Sequence, residues 1–81
     1  MDDGLCVELF RNRSMALIEH SDGYCVAELL SDEVTKGDQL RGDWTALGSE
    51  RIYNVSQSCW QEVYLQGNWV SAGPALAACG G

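Results

Sequence analysis

The sequence predicts a small all-β barrel of five to six short antiparallel strands, OB-like or SH3-like, closed by a short C-terminal helix. Three observations carry this expectation. Short runs of alternating apolar and polar residues recur along the chain, turn-forming pairs separate them, and an alanine-rich stretch follows Pro74. Eighty-one residues make one domain, 1–81. The composition, 46% hydrophobic with three Trp and four Cys, is too rich for a disordered segment.

The first element is Leu5-Cys6-Val7-Glu8-Leu9-Phe10, which alternates as a strand does. Asn12-Arg13 offers a tight turn after it. Asn tolerates a left-handed backbone, although Arg is a weak choice for the next position. This turn sets Leu9 opposite Ala16, Val7 opposite Ile18 and Leu5 opposite His20. Asp22-Gly23 favours a two-residue hairpin turn whose twist matches its flanking strands. It sets His20 opposite Cys25, Ile18 opposite Ala27 and Ala16 opposite Leu29. Both hairpins then agree on one apolar face, and a three-stranded meander follows.

Beyond Leu30 a polar connection runs to Gly37-Asp38. Gln39 to Leu47 reads as a strand interrupted by Gly42, with Asp38, Leu40, Gly42 and Trp44 on one face. A glycine inside a strand marks a bulge or bend of the kind small barrels need to close. Arg51 to Val55 forms a short strand. Cys59, Gln61, Val63 and Leu65 alternate with Trp60, Glu62 and Tyr64 in the next, and Gly67-Asn68 turns the chain. Ser71 is placed to cap a helix, Pro74 suits its first turn, and Ala75 to Cys79 has high helix propensity.

G-D-Q-L-R-G-D at 37–43, I-Y-N at 52–54, V-Y-L-Q at 63–66 and Ser71 before the alanine-rich tail form a spaced set. In this set the chain resembles small, uncharacterised bacterial β-barrel proteins, some encoded on mobile elements such as integron gene cassettes. The resemblance covers about half the chain. It implies a compact barrel with a terminal helical turn, and it supplies no activity.

Twelve acidic residues against five basic ones give a net charge of −7, which repels phosphate backbones and makes nucleic acid an improbable partner. No stretch of about 18 apolar residues spans a membrane. Acidic residues interrupt the N-terminus where a signal peptide would need an apolar run. The expectation is a cytoplasmic protein with reduced thiols.

Cys6, Cys25, Cys59 and Cys79 contain no C-x-x-C pair, so a structural zinc site is not expected, and no cofactor is implied. The expected register puts Cys6 and Cys25 on opposite faces, which excludes a bond between them. Buried, reduced thiols are the reading. His20 opposite Cys25 is the sharpest chemical juxtaposition, yet no carboxylate or nucleophile elbow completes it, and a histidine at the core edge is favoured. Asp32, Glu33, Asp38 and Asp43 lack the alternation of a Ca²⁺ loop and read as solvated turn residues. Glu19 and Glu28, neighbours on the mixed face, read as solvated surface too.

The expected function is a non-enzymatic binding or assembly module, without catalytic residues, that self-associates or engages a protein partner. Its surface is the apolar part of the mixed face: Phe10, Met15, Leu17, Val26 and Leu30. The alternative is single-stranded nucleic acid or carbohydrate binding on exposed aromatics, with Trp60, Tyr64 and Trp69 as stacking candidates.

Overall fold

The computed structural model describes residues 1–30 and 34–80. Among them, six strands close into an antiparallel barrel: β1 (Asp2–Phe10), β2 (Met15–His20), β3 (Gly23–Leu29), β4 (Gln39–Gly42), β5 (Gly48–Asn54) and β6 (Cys59–Trp69). The helix α1 (Ala72–Ala78) ends the chain. The order β1-β2-β3-β6-β5-β4 joins two consecutive meanders, with β3 pairing β6 and β4 pairing β1. The six strands and the terminal helix are those of the small all-β barrel that the sequence predicts. No helix is long and apolar enough to cross a membrane among the described residues.

The β2–β3 hairpin keeps the predicted faces but slips by two residues. Ser21-Asp22, rather than Asp22-Gly23, occupy the turn, and His20 pairs Gly23, Ile18 pairs Cys25 and Ala16 pairs Ala27. Gly23 is needed elsewhere. Its φ of 134° and the carbonyl oxygen of Trp69, which an added Cβ would strike, demand glycine for a close backbone approach. A slip of two preserves side-chain parity, so Ala16, Ile18, Cys25 and Ala27 all reach the core as expected.

The β1–β2 hairpin keeps Leu9 opposite Ala16, but its connection is a 3₁₀ turn over Arg11–Arg13 followed by Ser14 at φ 52°. Serine, not arginine, takes the left-handed position. Further along, the register jumps between Cys6 and Glu8. This bulge at Val7 reverses parity: Cys6 pairs Ile18 and is fully buried, whereas Leu5, expected inside, pairs Glu19 and is exposed. Gly4 then faces the interior, where a Cβ would stand 2.7 Å from Trp44 Cζ2 and 2.8 Å from Ile18 Cγ2. The missing side chain is the room Trp44 occupies. Trp44 is buried and its indole N–H donates to the Asp2 carbonyl at 3.0 Å.

The main core gathers Cys6, Ile18, Ala27, Leu40, Trp44, Ile52, Val63 and Leu65 among others inside the barrel. β4 stops at Gly42, so Trp44 enters the core from a loop instead of a strand. β6 does not turn at Gly67-Asn68. It shifts register between Leu65 and Gly67 opposite Val26/Ala27 and runs on to Trp69, whose ring lies over Gly67.

A second, smaller cluster lies outside the barrel wall. α1 lays Ala75 and Cys79 over Leu17 and Val26, with Val7, Phe10, Met15, Tyr24, Trp69 and Leu76 packed around them. Ser71 precedes the helix in an extended conformation, but its side chain makes no capping hydrogen bond. Burial of small residues, not end chemistry, holds α1 in place.

Candidate aromatic face

The apolar strip expected to meet a partner is covered by the chain itself. Leu17 and Val26 are buried under α1, and Phe10 and Met15 are packed into the same cluster. Leu30 alone of the five is exposed, and it belongs to another surface. The strip's alternation was readable; the helix that covers it is a long-range contact that alternation does not encode.

The surface Leu30 joins is the outer face of β5 and β6. The alternation of β6 sends Gln61, Val63 and Leu65 inward and Trp60, Glu62 and Tyr64 outward. Pairing with β5 places Tyr53 beside Trp60, Arg51 beside Glu62 and Ser49 beside Tyr64. On the other flank, Glu28 of β3 pairs Tyr64, and the Leu30 amide donates to the Glu62 carbonyl at 3.1 Å. Glu62 is therefore the centre of a patch with Trp60 and Tyr64 along its strand and Arg51 and Leu30 across it. Trp60 is 51% and Tyr64 45% exposed.

Trp60 is held from two sides. Tyr53 meets it edge to face with ring centres 5.2 Å apart, and the Arg51 guanidinium lies 5.1 Å from its ring centre. These contacts fix the indole while leaving half its surface free. Trp69, the third stacking candidate, is not here. The β6 bulge turns it toward α1, where it packs with Val26 and Tyr24.

His20 and Cys25 do not meet. The slipped register puts Cys25 opposite Ile18 inside the barrel, where its thiol donates to the Val26 carbonyl at 3.8 Å and burial pushes its pKa up to about 12. His20 is a brace: Nδ1 accepts from the Asp22 amide at 3.3 Å, which leaves Nε2 to donate to Asn68 Oδ1 at 2.7 Å. Asn68 in turn donates to the Trp44 carbonyl at 2.7 Å. Cys6 and Cys25 lie on one face, not two, because of the Val7 bulge. They flank Ile18 two strands apart, about 9–10 Å, beyond disulfide reach. All four cysteines are free thiols.

Asp38 is not a solvated turn residue. Only 8% exposed, it accepts from the Thr35 amide and hydroxyl, both at 2.9 Å, from Asn54 Nδ2 at 2.8 Å and from Gln57 Nε2 at 2.7 Å. Burial works to raise its pKa, but the hydrogen bonds from Asn54, Thr35 and Gln57 outweigh it and hold the carboxyl below its usual value. Asn54 also donates to Gln61 Oε1 at 3.1 Å, while Gln61 Nε2 is buried without a partner among the described residues. Sequence reasoning missed this network. The inward parity of Asp38, Asn54 and Gln61 was its only signal. Asp43 is exposed and accepts from the Thr45 hydroxyl; Asp32 and Glu33 lie outside the described residues. No group of three or more His, Cys, Asp or Glu is arranged to hold a metal ion among the described residues.

Glu19 and Glu28 stand at opposite ends of the β2–β3 hairpin. Glu19 accepts from the Tyr24 hydroxyl and Glu28 from Gln66. An open trough of about 1010 Å³ runs beside Glu19 along β1, β2 and β4, with Asp2, Leu5, Asp22 and Arg41 on its walls. Its polar groups are largely engaged with one another: Glu19 with Tyr24, Arg41 with Asp3 at 3.2 Å, and His20 through both ring nitrogens. The β5–β6 face is the better site because Trp60 and Tyr64 are about half exposed and its central carboxylate makes no ion pair among the described residues. No protein-family model, curated protein or solved structure matches this chain.

Proposed function

We propose that the chain is a non-enzymatic binding module that engages a protein partner, another copy of itself included, through the outer face of β5 and β6. One observation carries the reading: Trp60, Tyr64 and Leu30 are exposed together on a sheet face whose Trp60 is already immobilised, while the other apolar strip is covered by α1. Trp, Tyr and Arg are the side chains that concentrate binding energy at protein interfaces, and a pre-fixed indole loses little entropy on contact. Small molecules and sugars favour concave pockets, whereas this face is the outside of a barrel. Stacking of a base or sugar on Trp60 is the second reading, and the charge of −7 opposes its nucleic-acid form.

Site-specific photo-cross-linking separates these readings. A photoreactive phenylalanine at position 64 is compared with one at exposed Asn12, in host extract and with the pure chain. Discrete protein adducts, or dimers of the 8.9 kDa chain, formed from position 64 and not from position 12 are the expected result. Nucleic-acid adducts from position 64 would support the second reading. Adducts indifferent to position, or none, overturn the proposal.

A further inference from the structure

Resting on that reading, we infer that the β5–β6 face seats an arginine side chain from a basic segment of a protein partner, with Glu62 as counter-ion and Trp60 and Tyr64 as walls. Glu62 is exposed at the patch centre and makes no ion pair among the described residues, although Arg51 stands directly opposite on β5. Arg51 goes instead to the ring of Trp60, which shows that a guanidinium finds this indole a suitable surface within the chain itself.

The result is a free carboxylate with an aromatic side chain about 7 Å away on either side along the strand. A planar cation paired with Glu62 lies between the half-exposed side chains of Trp60 and Tyr64. Arginine suits this better than lysine, because its flat guanidinium pairs a carboxylate and stacks on a ring at once. Arg51 stands across from Glu62, but the wider balance of charge is anionic. Glu28 borders Tyr64, and the whole chain carries −7, so cationic segments are drawn in while acidic ones and phosphates are repelled.

The test is a titration of the isotope-labelled protein with blocked tri-arginine, tri-lysine and tri-glutamate peptides, followed by amide and indole NMR shifts. Two variants of equal charge change separate the site from bulk electrostatics: Glu62→Gln in the patch and Asp43→Asn outside it. Tri-arginine is expected to shift the Trp60 indole and the amides around Tyr64 saturably, with tri-lysine weaker and tri-glutamate silent. Glu62→Gln should weaken tri-arginine binding about fivefold to tenfold, and Asp43→Asn less than about twofold. Absent shifts on the patch, shifts centred on the trough beside Asp2 and Glu19, or equal losses in both variants overturn the inference. Cross-linking from position 64 does not depend on partner charge, so a positive result there with a failed titration would retain the binding face and discard the arginine.

Discussion

Asp38 shows how one carboxylate ties a barrel end together, and its titration makes this measurable. Its folded-state pKa lies below the ordinary 3.8, so it contributes stability above pH 3.8 that is lost as pH falls through the lower folded value. Denaturant unfolding below pH 3.8 should therefore show a loss that Asp38→Asn flattens, at the cost of lower stability near neutrality. The neighbouring amides differ in worth. Asn54→Ala strands buried partners and should cost about 1–3 kcal/mol. Gln61→Met removes an unpartnered Nε2 while Asn54 keeps its bond to Asp38, so it should stay within about 1 kcal/mol of wild type. Gly4→Ala tests the other kind of constraint. Its Cβ would meet Trp44 and Ile18 inside normal contact distance, and about 1–3 kcal/mol of destabilisation with altered Trp44 fluorescence is expected on unfolding and emission measurements.

At the scale of elements, the strands were legible and their irregularities were not. The alternation of Cys59–Leu65 marks both faces of β6 because each residue obeys a local period. The Val7 bulge is invisible to that period, since its reason is the space Trp44 takes over Gly4, forty residues away in the chain. The aromatic face was half legible for the same reason. Trp60 and Tyr64 follow from parity, but Trp69 has the opposite parity and is turned outward under α1 only by the second bulge, and Arg51 and Tyr53 join the pair only through the β5–β6 register. The helix is the weakest element, short and without a side-chain cap or oppositely charged ends. It should open before the barrel does. Thiol labelling at pH 8 should therefore find half-exposed Cys59 fast, Cys79 slower, and Cys6 and Cys25 protected until global unfolding; burial holds the last two thiols near 11 and 12. Ala75→Glu should free Cys79 to react at once while Cys6 and Cys25 remain protected. Continued protection of Cys79 in that variant would show that α1 is held by something other than its contact with Leu17 and Val26.

The whole molecule divides its exterior into a covered and an open apolar surface. α1 lies across Leu17 and Val26, whereas on β5 and β6 the side chains of Trp60, Tyr64 and Leu30 remain exposed. On the proposed reading the second surface, not the first, is the one available for binding. Hydroxyl-radical footprinting of the dilute native protein measures this directly. Rapid oxidation of Trp60 and Tyr64 is expected, with Met15, Trp69 and Trp44 several-fold slower. Rapid oxidation of Met15 and Trp69 with Trp60 as protected as Trp44 would contradict it and return the binding surface to the strip beneath the helix.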